Sequence, residues 1–358
     1  MTKTKRTLPF DVLIFDMDGV LIDVSKSYRE TIRQTVALYF QRSLGFRDRR
    51  KDLVTPEDIA LFKSIGGFNN DWDLTSGLLL YLLSLSGLPP LLRRKRISSV
   101  QEGVSYLRKR ASPFGLEGPM LLRNKRVPSF VKRARSFGRG LKAVRRTLGN
   151  SWEGWVYGSG DLGRENLVQR IFQEVYLGDR FTHHHHLPRI FHRGRGHYLR
   201  ERLLVPRYLL ATLRRTLRLG IASGRPRLEA ELALRRFRLL SYFDSVVTLD
   251  ECKKEEARVF RETGRKVSRS KPHPYPVLRA IRQTGLRNPR SAYVGDVSDD
   301  MLAANAAKRE GDVLAIGFVP RRAPKAAMNP LKETGADLVI QNPRDLLRFT
   351  VPPMCKMD

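Results

Sequence analysis

At 358 residues with 41% apolar side chains, the chain is long enough for one large or two ordinary domains with real cores, which excludes a disordered protein. Its 67 Lys and Arg against 36 Asp and Glu give a formal charge of +31, so a polyanionic partner has to be weighed, whether nucleic acid, acidic lipid or phosphorylated metabolite. Two cysteines, Cys252 and Cys355, are too few for a disulfide framework and wrongly spaced for zinc, which fits a reducing compartment such as the cytoplasm.

The N-terminus, from Met1 to Thr7, is basic and has no signal-type apolar core, so a short solvated tail is expected. Leu13, Ile14 and Phe15 then form an apolar run stopped by Asp16-Met17-Asp18-Gly19, which reads as a buried strand delivering side chains to its carboxyl end. Residues two apart in extended backbone point to the same side, so Asp16 and Asp18 can converge on the crevice where α/β sheets bind ligands. Two such carboxylates repel unless a hard cation such as Mg²⁺ neutralises them. Gly19 lets the chain turn sharply past the site.

Residues 25–40 carry apolar side chains at Tyr28, Ile32, Val36 and Tyr39, the spacing of an amphipathic helix. Thr55-Pro56-Glu57-Asp58 starts another helix by cap, proline and acidic first turn. Residues 66–73 pack two glycines, Asn69, Asn70, Asp71, Trp72 and Asp73 ahead of an apolar helix. This stretch reads either as a loop anchored by Trp72 or as a substrate-facing loop. The apolar run 78–92 is broken by Pro89-Pro90, short of the ~20 residues that span a bilayer, and is expected as a buried helix. Residues 93–149 form a basic insert, with 17 basic residues against Glu102 and Glu117 between Arg93 and Arg146. It is read as solvated faces or partly disordered arms in preference to a nucleic-acid surface, since no recognition motif accompanies the charge. His183, His184, His185 and His186, with His192 and His197, are read as a solvated polar tract rather than a metal site.

From Glu201 regular alternation of helices and strands begins, which implies a parallel sheet with right-handed crossovers. A helix is expected over 203–217, a strand to Ser223-Gly224-Arg225-Pro226, a helix over 228–237 and a strand over 243–249. Lys271-Pro272-His273-Pro274 precedes a helix over 277–284, and the strand 291–294 ends in Gly295-Asp296 with Asp299 and Asp300 close behind. A helix over 301–308 and strands over 313–318 and 336–340 complete the pattern.

Several strand ends thus carry polar clusters, and together they supply the parts of phosphoryl transfer. Asp16 is placed to attack phosphorus and Asp18 to protonate the leaving oxygen and later activate water. Ser223 can hydrogen-bond phosphoryl oxygens beside free backbone N–H groups, Lys271 offers a fixed cation, and Asp296 completes a Mg²⁺ site.

The elements Asp16-Met17-Asp18-Gly19-Val20, Ser223-Gly224-Arg225-Pro226, Lys271-Pro272-x-Pro274 and Gly295-Asp296-x-x-x-Asp300 resemble the four motifs of the haloacid dehalogenase superfamily, phosphoglycolate-phosphatase-like branch. The resemblance implies a Rossmann-like parallel-sheet core, residues 1–23 with 201–358, and a mainly helical cap inserted over 24–200. It also implies that Asp16 and Asp296 bind Mg²⁺ by side chain and Asp18 through its backbone carbonyl, with Asp300 in support. Gly224 and Arg225, and Asn69, Asn70, Asp71 and Trp72 in the cap, are the expected substrate-binding residues. The activity implied is a Mg²⁺-dependent phosphatase acting on a small phosphorylated metabolite. The alternatives are a phosphomutase on the same scaffold and a polyanion-binding protein that uses the basic insert.

Overall fold

The computed structural model describes residues 10–47, 53–68, 70–114, 125–321 and 328–349. The N-terminal tail, Asn69 and Cys355 therefore lie outside the described residues. The chain divides into two compact units, residues 1–23 with 202–358, and residues 24–201.

The first unit is built on a parallel sheet of β1 (Val12–Phe15), β4 (Arg218–Ala222), β5 (Ser245–Val247), β6 (Ser291–Gly295), β7 (Val313–Phe318) and β8 (Leu338–Ile340), in the order β5-β4-β1-β6-β7-β8. A short antiparallel pair, β2 (Ile22–Asp23) and β3 (Arg202–Leu203), stands apart. β1 is buried at all four positions, as expected of an unbroken apolar strand in the middle of a parallel sheet. Phe15 lies opposite Ile221 on one side and Val294 on the other. The order reverses at β1, so its carboxyl end opens onto the crevice where such sheets bind ligands. Val12, Ile14, Tyr293, Met301 and Ala315 belong to the core on this sheet.

The second unit is helical. In chain order it contains α1 (Tyr28–Leu38), α2 (Pro56–Lys63), α3 (Asp71–Leu83), α4 (Val100–Ala111), α5 (Val127–Ser136), α6 (Gly140–Thr147), α7 (Leu167–Leu177) and α8 (Arg180–His185). Aromatic packing holds α1, α3 and α7 together: Tyr28 stacks on Tyr176 at 4.5 Å, and Trp72 meets Phe172 edge-on at 6.0 Å. Thr55 caps α2 reciprocally with Asp58, as its sequence predicts.

Three expectations change here. The basic insert is largely helical, because α4, α5 and α6 each bury a small apolar stripe under their charges; residues 115–124 lie outside the described residues. The histidine stretch is only partly solvated. His183 and His186 are exposed, but His197 is buried and accepts or donates a 3.1 Å hydrogen bond with Thr31 Oγ1, and His192 pairs with Gln34 at 3.2 Å. Residues 202–217 hold β3 and the short α9 (Arg207–Leu213) in place of one long helix, since Pro206 stands at the helix boundary with extended backbone.

The remaining helices return to the first unit: α10 (Arg227–Arg236), α11 (Leu249–Thr263), α12 (Tyr275–Gln283), α13 (Ser298–Ala307) and α14 (Asn329–Glu333). α11 fills most of the stretch between β5 and Lys271.

Candidate active site

β1 ends at Phe15, and the next residue, Asp16, is only 5% exposed, its N–H donating to Val294 O at 2.8 Å. The chain then turns tightly, with Leu21 N and Ile22 N both donating to Met17 O. Gly19 is required at this turn. Its φ is +77°, and a Cβ there would lie 1.9 Å from Asp296 Oδ2.

Lys271 Nζ approaches Asp16 Oδ1 at 2.9 Å and Asp300 Oδ1 at 2.6 Å. Lys271 is thus ion-paired with both carboxylates. Burial pushes the Asp16 carboxyl up to about 7; Lys271 opposes the shift, while Asp300 and Asp18 add to it. Burial also opposes the charge on Lys271, but Asp16 and Asp300 outweigh it and hold the ammonium well above the ordinary lysine value. Lys271 therefore stays a cation between two carboxylates.

Asp300 is saturated by protein donors. Its Oδ1 accepts from Lys271 and from Tyr293 Oη at 2.9 Å, and its Oδ2 accepts from the N–H groups of Asp296 and Val297 at 3.0 and 3.2 Å. It aligns Lys271 and the turn carrying Asp296. Oxygens of Asp16, Asp296 and Asp300 lie within 4.8 Å of one another. Asp16 and Asp296 join Asp300 in this cluster, and Asp300 is the member held by four protein donors. An all-oxygen set of converging carboxylates suits a hard divalent ion.

Asp18 turns toward β4. Arg225, 2% exposed, donates from Nε at 2.7 Å to Asp18 Oδ1 and pairs with the same oxygen through Nη2 at 2.6 Å. Ser223 is buried at the end of β4, where its N–H donates to Val247 O and its Oγ accepts from Arg225 N at 3.2 Å. Gly224 between them is exposed, and nothing stands within 4 Å of where its Cβ would be. One turn into α10, Glu229 is buried, and its carboxyl is held well above its ordinary value by burial first and then by Asp18 and Asp250.

Sequence reasoning brought Asp16, Asp18, Ser223, Lys271, Asp296 and Asp300 to this crevice, and the fold assembles them there. It missed Tyr293 and Glu229. Tyr293 is a polar tip on an otherwise apolar strand, and Glu229 follows Arg225 by four residues, so both were visible as oddities of pattern. In the helical unit, Asn70 caps α3 by accepting from Asp73 N at 2.8 Å, Asp71 pairs with Lys63 at 3.2 Å, and Trp72 is 7% exposed in the core. These contacts within the unit are the ones the structure gives for the three residues expected to face substrate; Asn69 lies outside the described residues.

A family model of haloacid dehalogenase-like hydrolases matches residues 10–308. The chain belongs to this family. Its six-stranded parallel sheet and its cluster of carboxylates at strand ends are consistent with that membership. This hydrolase is similar in fold to a crystal structure from the Northeast Structural Genomics Consortium, at TM-score 0.59 and 20% identity, covering 94% of this chain and 97% of that one. It also matches the phosphatase Tt82 from Thermococcus thioreducens, at TM-score 0.49 and 24% identity over 90% of this chain and 99% of that one. A curated relative, imidazoleglycerol-phosphate dehydratase from Phytophthora nicotianae, is 24% identical over 343 residues, which is 93% of this chain and 50% of that protein. The hydrolase thus spans about half the length of the curated relative it matches. No helix among its described residues is long and apolar enough to cross a membrane.

Proposed function

We propose that this hydrolase is a Mg²⁺-dependent phosphatase of small phosphorylated metabolites, working through an aspartyl-phosphate on Asp16. The observation that carries the reading is the buried Asp16 carboxylate at the end of β1, with Lys271 at 2.9 Å and Asp18 two residues on. An Asp16 oxygen attacks phosphorus while the bond to the leaving oxygen breaks, and Asp18 gives that oxygen its proton. Asp18 then takes a proton from the water that attacks the phospho-aspartate, releasing phosphate and restoring Asp16. Because Arg225 occupies Asp18 Oδ1 through two nitrogens, the proton is carried on Oδ2. Lys271 and Ser223 offset the charge that gathers on the phosphoryl oxygens. Asp16 and Asp296 would hold the Mg²⁺, which when bound neutralises the carboxylates and the phosphoryl group.

Cys252 is a buried free thiol, in keeping with a reducing, cytoplasmic setting. The test is hydrolysis of p-nitrophenyl phosphate with Mg²⁺, with EDTA, and by Asp16→Asn. A phosphate-release panel of phosphoglycolate, sugar phosphates, histidinol phosphate and imidazoleglycerol phosphate follows, the last because of the relative's name. Turnover lost with EDTA and in the variant supports the reading. A phosphosugar isomerised without phosphate release would assign the same machinery to a phosphomutase, and a folded protein without turnover on any of these would sink both.

A further inference from the structure

The basic insert changes meaning once it is seen as ordered helices. From Lys132 to Arg146 the α5–α6 hairpin holds seven cations, and no acidic residue occurs between Glu117 and Glu153. Its apolar side is spent inward: Val127, Phe130, Val131 and Ala134 of α5 and Ala143 and Val144 of α6 are buried, α5 packing on α2 and α6 on α3. The hairpin is also pinned at its turn. Gly140 N donates to Gly66 O at 2.6 Å, and a Cβ at Gly140 would lie 2.1 Å from Gly67 O, so α6 begins in backbone contact with that loop.

The outward side is a set of charges on a rigid support. Lys132, Arg133, Lys142 and Arg146 are exposed, and none has a carboxylate at ion-pair distance among the described residues. Arg135 is held in one orientation, donating from Nε and Nη2 to Ser64 O at 3.1 and 2.9 Å. At the tip between the helices Phe137 is 45% exposed, and its carbonyl oxygen accepts from Arg146 Nη1 at 3.4 Å. Exposed cations and an exposed ring on one ordered hairpin are the combination that single-stranded nucleic acid uses, with phosphates on the cations and a base on the ring. A bilayer would need an apolar helix face to insert, and this hairpin has none left outside.

We propose that the α5–α6 hairpin is a docking surface for single-stranded nucleic acid, with Lys132, Arg133, Lys142 and Arg146 on phosphates and Phe137 stacking on a base. The site is independent of the chemistry at Asp16.

The test uses the full chain and a fluorescein-labelled oligouridylate of about 20 nucleotides, with anisotropy read at several salt concentrations. Four phosphate contacts on a single strand give a slope of about −0.7 per contact, so affinity falls roughly 50-fold between 50 and 200 mM salt. Replacing the four cations together by alanine flattens that slope and weakens binding by at least roughly 10-fold at 50 mM salt. Phe137→Ala weakens binding roughly 5-fold or more at fixed salt and leaves the slope unchanged. As a charge-matched control, Lys253→Ala, Lys254→Ala, Arg261→Ala and Arg265→Ala together retain the slope. Equal loss in the control and hairpin variants would overturn the proposal, as would unchanged binding by Phe137→Ala, which also stands as the test if the fourfold variant does not fold. Tighter retention on phosphatidylserine vesicles than on the RNA would overturn it in favour of a lipid surface.

Discussion

Acid should loosen the helical unit through His197. This ring is 2% exposed, and burial, then Arg200 and His192, depress it from 6.5 to about 3. The folded protein thus keeps His197 neutral over a range in which the unfolded chain takes up a proton. A depressed folded-state value contributes stability that is whole above about pH 6.5 and is lost progressively as pH falls toward 3. Between pH 7 and pH 5 the loss from this one residue is about 2 kcal/mol by linkage. For a unit the size of residues 24–201 that is a fall in Tm of roughly 4–8 °C. Calorimetry at pH 7 and pH 5 on the wild type and on His197→Asn, whose amide can still pair with Thr31, isolates the term. The wild type should lose more between the two pH values by that amount. Parallel losses in the two proteins would refute the reasoning, because other histidines such as His185, pushed down to about 4, are common to both.

Lys271→Met removes the cation from between Asp16 and Asp300 and should cost about 3–5 kcal/mol in urea titration, with turnover abolished. Gly19→Ala drives a Cβ into Asp296 and strains a left-handed backbone, so the Mg²⁺ concentration for half-maximal turnover should rise roughly 10-fold or more while the fold persists by circular dichroism. Arg225→Gln frees the Asp18 carboxylate and leaves Asp16 and Lys271 untouched. A kcat lower by roughly 100-fold with KM nearly unchanged is expected from steady-state kinetics. Trp72→Ala should cost about 3–5 kcal/mol of stability, and KM for the best substrate should stay within twofold, as suits a core side chain.

Much of the catalytic unit was legible because its signals are local. An apolar run followed by Asp-x-Asp-Gly announces a strand end, and the same logic located β4, β6 and β7 to within a residue or two. Pairings across the chain were not legible: nothing near Arg225 in sequence says that its guanidinium will close on Asp18, since only the adjacency of β1 and β4 brings them together. In the basic insert the signal was present but outweighed. Val127, Phe130, Val131 and Ala134 have the helical spacing, yet the density of Lys and Arg around them reads as solvated chain. α11 has no broad apolar stripe to find. It rests on a capping box between Thr248 and Glu251 and on Arg258 clamped between Glu255 and Glu262, features worth a few tenths of a kcal/mol each to about one.

The central place of β1 has a consequence for how the molecule is made. Both of its partner strands come from beyond residue 217, so Leu13, Ile14 and Phe15 have no sheet to enter until the ribosome has added some two hundred further residues. At ordinary elongation rates that wait is roughly 10–40 s. Throughout it the unpaired apolar strand is an aggregation-prone segment, while the compact helical unit emerges between it and its partners. This strand order leaves residues 10–20 without their sheet partners until β4 and β6 have both emerged.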